Sequence, residues 1–136
     1  MIKNAKLCKE IVVTVVNKIG VLSDMAKLLA DHGINIEAVA GYAQDNNAII
    51  MLVTDDNLRA ADALKKEGYK SLKEREAVKV SLENKPGALK ALTGKLLEND
   101  IDITQIYGTA CVDSCPATII LSTSNNDKAV VAFKKK

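Results

Sequence analysis

The chain has 136 residues, 48% apolar and only 3% aromatic, which gives the bulk of one ordinary domain and an aliphatic core with few rings for stacking a base or a sugar. Its 19 basic and 17 acidic residues are intermixed and leave a formal charge of +2, too weak a field to argue for nucleic acid. No apolar run approaches the roughly 18 residues needed to cross a membrane. Met1-Ile2-Lys3-Asn4 begins no signal-peptide core, so a cytoplasmic location is expected. Cys8, Cys111 and Cys115 make an odd count in such a compartment, and a disulfide framework is not expected. The spacing Cys111-Val112-Asp113-Ser114-Cys115 matches no common zinc motif, so it reads as a hairpin loop with two thiols; no metal or cofactor is expected.

Taken in order, residues 11–16 are β-branched almost throughout and predict a strand. A turn at Gly20 follows, then a helix with Val21, Leu22, Met25, Ala26 and Leu29 on one face and a stop at Gly33; His32 beside that stop reads as a polar cap. Ile34, Ile36 and Ala38 alternate with polar residues in a second strand running to about Tyr42. Gln44–Asn47 is a turn, and Ala48 to Thr54 a third strand. Asp55-Asp56-Asn57 caps a second helix whose buried face is Leu58, Ala61 and Leu64 and which ends at Gly68; Tyr69 to Arg75 reads as an edge strand.

The same plan then recurs. An offset of 67 positions lays Asn17-Lys18-Ile19-Gly20-Val21-Leu22 on Asn84-Lys85-Pro86-Gly87-Ala88-Leu89, Ile34 and Ile36 on Ile101 and Ile103, and Gly41 on Gly108. After two extra residues, Ala48–Leu52 falls on Ala117–Leu121, and a last helix from Asp127 puts Val130 and Phe133 where Ala61 and Leu64 stand. An internal repeat of this length is one structural unit used twice. Each unit reads β-α-β-β-α-β, which with crossovers through both helices is the ferredoxin-like plan: an α+β fold with a four-stranded antiparallel sheet and both helices on one face.

The second copy stops before its fourth strand. Continued backwards, the offset lays Ile2–Lys6 over Tyr69–Lys73, so the expected domains are residues 9–76 and residues 77–136, with residues 2–8 supplying the last strand of the second across a permuted cut. On the sheet face away from the helices, Lys79, Ser81, Glu83, Thr118 and Ser122 of the second copy match Val12, Thr14, Val16, Ile49 and Val53 of the first. This apolar set predicts a homodimer face, to be dissociated by Val12→Lys with Val53→Lys.

Chemistry concentrates at the turn before each first helix. Pro86 suits a first helical turn and Gly87 removes the side chain that would keep another molecule off the backbone, leaving a bare helix N-terminus that favours a carboxylate or phosphate. Asp24 puts a negative charge in the corresponding turn of the first copy, which weakens that site. Catalysis has little support: there is one histidine, no nucleophile elbow and no phosphate loop, so the chain is not expected to be an enzyme. RNA-recognition modules share this topology, but they need exposed aromatics on the central strands, and Ala48–Val53 and Ala117–Ser122 contain none.

The doubled unit, with Asn84-Lys-Pro-Gly-Ala-Leu89 after its first strand and Asn99-Asp-Ile-Asp-Ile-Thr104 opening its second, and with Asn17-Lys-Ile-Gly-Val-Leu22 and His32-Gly-Ile-Asn-Ile-Glu37 in the first copy, resembles the ACT domain family over residues 10–68 and 77–133. The resemblance implies a free-standing tandem ACT protein that binds a small effector, most often an amino acid, at the interface between paired units and signals to an enzyme or transcriptional partner. By motif it assigns ligand binding to Asn17, Ile19, Gly20, Val21 and Leu22, and to Asn84, Pro86, Gly87, Ala88 and Leu89. On the second strand of the adjoining unit it points to Glu37 and Ala38, and to Thr104 and Gln105. Ile19 departs from the family's usual proline, so the Gly87 loop is the first choice. The competing reading is a structural or regulatory subunit of a metabolic enzyme that binds no ligand.

Overall fold

Alternating and β-branched residues with no glycine or proline between them form strands longer than the sequence pattern marks out. The computed structural model of the protein describes residues 1–110 and 115–135. Its elements are β1 (Ile2–Val16), α1 (Val21–Asp31), β2 (Ile36–Gln44), β3 (Asn47–Thr54), α2 (Asn57–Lys66), β4 (Leu72–Leu82), α3 (Ala88–Glu98), β5 (Ile103–Thr109), β6 (Ala117–Thr123) and α4 (Asn126–Lys134). The expected strands at 2–8 and 11–16 are thus one strand, and those at 69–75 and 78–83 another. Neither Lys9-Glu10 nor Glu76-Ala77 carries a residue that would break an extended chain.

The chain divides into two compact units, residues 9–75 and residues 1–8 with 76–136. In the first, the strands neighbour one another in the order β2-β3-β1-β4. Val13 lies opposite Ile50 and Ala40 opposite Met51, both pairings antiparallel, and Thr14 N–H donates to Ser71 O at 2.9 Å. One face of this sheet gives Ile11, Val13, Ile50 and Leu52 to a core closed by Val21, Met25 and Leu29 of α1 and Ala60 and Leu64 of α2. Fully burying a leucine or methionine of this kind stabilises by about 1.5–3 kcal/mol relative to leaving it in water. Leu58, expected on the buried face, is instead exposed. Asp56, not a later residue, caps α2 through Arg59 N–H, and this sets the helix's inward face at Ala60, Ala63 and Leu64.

In the second unit the order is β1-β4-β6-β5, with the opening residues of β1 contributing the first strand. Val80 lies opposite Ile119 and Tyr107 opposite Ile120, and Glu83 N–H donates to Met1 O at 2.8 Å. Ala5 enters a core made by Val78, Val80, Leu82, Leu121, Leu92 and Leu96, which Ala129 and Phe133 of α4 cover.

Two features of the first unit correct the sequence reading. Val12 and Val53 are only 7% and 4% exposed within the single chain, so the apolar face expected to be free for a second copy is covered already, and only Val16 of that set is exposed. Lysines at Val12 and Val53 are therefore expected to damage folding rather than to separate subunits. On the same strand Glu10 is 1% exposed, its carboxylate accepting from Arg75 Nε at 2.7 Å. A charge buried to this extent is held by its partner.

Candidate ligand-binding site

The loop that the sequence singled out is open. Gly87 caps α3 with φ +89° and makes no side-chain cap bond, and Ala91 N–H donates to Gly87 O at 3.0 Å. Asn84, Lys85, Pro86 and Gly87 are all exposed; a Cβ at Gly87 would meet only Met1 Cε, at 3.5 Å. One of the donors expected to serve an anion is occupied, because Ala88 N–H bonds Lys85 O at 3.2 Å. The turn at Gly20 repeats the geometry, with φ +94°, no side-chain cap and Val21 N–H bonded to Lys18 O at 3.3 Å.

Beside the Gly87 loop lies a cleft of about 410 Å³. Glu83, Asn84, Lys85, Ala88 and Leu89 form one side, Ile106, Tyr107, Gly108, Thr109 and Ala110 the other, and Leu82, Ala117 and Ile119 complete it. Of the residues assigned by motif, Asn84, Ala88 and Leu89 line this cleft, whereas Pro86 and Gly87 stand at the loop's exposed tip. Ala88 is buried in the unit's core, as Val21 is in the other unit, so each offers backbone rather than side chain. Ile19 is completely exposed and Leu22 half so; Asn17 and Gly20 are exposed too, with Asn17 N–H bonded to Asn46 O.

Within their own units the second-strand candidates fall elsewhere. Thr104 Oγ1 donates to Ser122 O, and neither Thr104 nor Gln105 lines the cleft. The pairing register gives the reason. Leu82 lies opposite Ala117 and Thr109 opposite Thr118, so the loop that leaves Leu82 reaches the Gly108–Thr109 end of β5, while Ile103 lies opposite Thr123 at the other end. The first unit follows the same rule: Val15 and Ala43 both face Ala48, next to the Gly20 loop, whereas Ala38 faces Val53 and Glu37 lies near it. The antiparallel pairing of a hairpin, which places the end of the second strand beside the end of the first, keeps these candidates away from the loop of their own unit.

Charge at the site is largely self-compensated. Glu83 pairs with Lys85 Nζ at 2.9 Å and with the Met1 ammonium at 3.3 Å. The Lys85 hydrogen bond first, and then that of the ammonium group, hold the Glu83 carboxyl below its ordinary range. A larger groove of about 760 Å³ lies in the 9–75 unit between α1 and residues 67–71, and Lys18 and Val21 at the start of α1 are among the residues that line it. Lys27 and Asp31 on its wall pair at 2.7 Å, and Tyr69 has its hydroxyl pushed up by burial and by Asp24 and Glu67. Among the described residues, no group of three His, Cys, Asp or Glu side chains is placed to hold a metal. Cys8 is half-buried, and Cys115 is disulfide-bonded, against the expectation of free thiols; Cys111 lies outside the described residues. Nor, among those residues, is any helix long and apolar enough to cross a membrane.

Comparison with known proteins agrees with this architecture. The structure is similar to that of protein BT0572 from Bacteroides thetaiotaomicron, at 27% identity and a TM-score of 0.87, over 97% of this chain and 90% of that one. It shares its fold with the regulatory subunit of aspartate kinase from Thermus thermophilus, crystallised in a ligand-free form, at 13% identity and a TM-score of 0.68, covering 97% and 95% of the two chains. The same subunit from Thermus flavus matches at 15% identity and a TM-score of 0.62, again over 97% and 95%. No curated protein matches the chain by sequence. The model of the ACT domain matches residues 9–67 of the chain.

Proposed function

We propose that the protein is a regulatory binding protein that senses an amino acid at the Gly87 loop and reports its presence to a partner, with residues 76–136 and 1–8 forming a second ACT-type unit. The observation that carries this reading is the uncapped start of α3 opening beside a cleft of about 410 Å³. A free amino acid is small enough for that space. Its carboxylate suits the positive end of the helix, where the N–H groups of Leu89 and Lys90 begin the first turn, and its ammonium group suits the side-chain oxygen of Asn84. Such a molecule favours whichever arrangement of the protein binds it best, and that shift in population is the signal; coupling of about 1–3 kcal/mol is typical of regulatory sites.

Thermal-shift measurements across the twenty amino acids test the reading. A rise in Tm with at least one of them, lost in Gly87→Val and weakened in Asn84→Ala, is the expected result. A flat response to all twenty leaves a regulatory subunit that binds no such ligand.

A further inference from the structure

We infer that the cleft beside the Gly87 loop selects an amino acid with a large apolar side chain over a charged or small polar one; the inference rests on the amino-acid reading above and narrows it. Leu89, Ile106, Ala110, Ala117 and Ile119 give the cleft a mainly aliphatic wall, on which Asn84, Tyr107 and Thr109 are the uncharged polar side chains. Leu89 and Ile106 are 53% and 40% exposed, apolar surface that water covers poorly and that a hydrocarbon side chain would shield. Among the described residues the ionic groups on the wall are Glu83 and Lys85, and they are paired with each other at 2.9 Å. A ligand's charged side chain entering here would shed water without gaining a partner of its own.

The internal repeat shows how the space arises. At the position of Thr109 the other unit carries Tyr42, so the Gly87 cleft is lined by the smaller residue there. That difference leaves room beside the helix start for a side chain the ligand itself must bring.

Calorimetric titration of the full chain with glycine, alanine, norvaline and norleucine reads the inference directly. Affinity is expected to rise about fourfold for each methylene buried, with aspartate and lysine at least tenfold weaker than norleucine. Thr109→Tyr, which installs the other repeat's residue, is expected to abolish norleucine binding. Leu89→Asn, at an exposed position that the fold does not need, is expected to weaken it several-fold and serves if that variant misfolds. Binding of aspartate, lysine or serine with no climb through the series overturns the apolar preference and leaves amino-acid sensing in place. A climbing series that Leu89→Asn leaves untouched places the ligand elsewhere and overturns the inference. Silence with every amino acid overturns the sensing reading itself.

Discussion

Gly20 and Gly87 hold φ at +94° and +89° in the residue before a helix, a conformation in which any other L-residue sets its Cβ against the backbone. A Cβ at Gly20 would meet nothing within 4 Å, and one at Gly87 only the Met1 Cε in ordinary contact. The cost of Gly20→Ala and Gly87→Ala is then a backbone cost alone, so each variant should lose about 1–2 kcal/mol and the two should lose nearly the same. Urea unfolding of both proteins checks it, and a much larger loss at Gly87 would point to a packing role that the structure does not assign. The glycines were legible in the sequence as turn residues. The ion pair of Glu10 with Arg75 was not, since a glutamate after a lysine in a strand looks like a solvated position until the fold covers it.

At the scale of the element, each repeat fastens its second helix with the same device. Asn57 Oδ1 accepts from both the N–H (3.0 Å) and the hydroxyl (2.7 Å) of Thr54, and its Nδ2 donates to Lys9 O at 2.8 Å. Asn126 does the same with Thr123, at 2.9 and 2.8 Å, and donates to Glu76 O at 3.2 Å. One amide therefore joins the end of a strand, the start of a helix and a neighbouring strand. Replacing it leaves a backbone N–H of one strand and a carbonyl of the other without that partner, and Asn57→Ala and Asn126→Ala should each lose about 1–3 kcal/mol of unfolding free energy in denaturant titrations. Loss below the error of such titrations at both sites would show that water replaces the amide without penalty. The sequence marked Asn57 as part of a helix cap; the bond to a strand some fifty residues away is visible only in three dimensions.

For the molecule as a whole, the consequential fact is that residues 1–8 cluster with residues 76–136 and not with the segment that follows them. Ala5 is 2% exposed in the core of that unit, and Ile2 packs against it. Deleting residues 1–8 should strip hydrogen-exchange protection from β4, β6 and α3 while residues 9–75 keep theirs. Equal protection in the full and shortened chains would show that the unit closes without its first strand. The offset of 67 positions pairs Ile2–Lys6 with Tyr69–Lys73, so the origin of this strand is legible in the repeat itself. The position of the cleft is not: pairing register sets its wall at Ile106–Ala110, at the end of β5 away from Thr104 and Gln105.

Local chemistry written in the chain was enough to set the element types, their doubled order, the open helix starts at Gly20 and Gly87 and the aliphatic cores, because periodicity and backbone preference act over a few residues. Tertiary structure alone decided that Val12 and Val53 are covered, that Glu10 is a buried charge and that the cleft lies at the far end of β5. Burial and register depend on which segments meet across tens of residues, and a pattern read along one strand does not contain its neighbour.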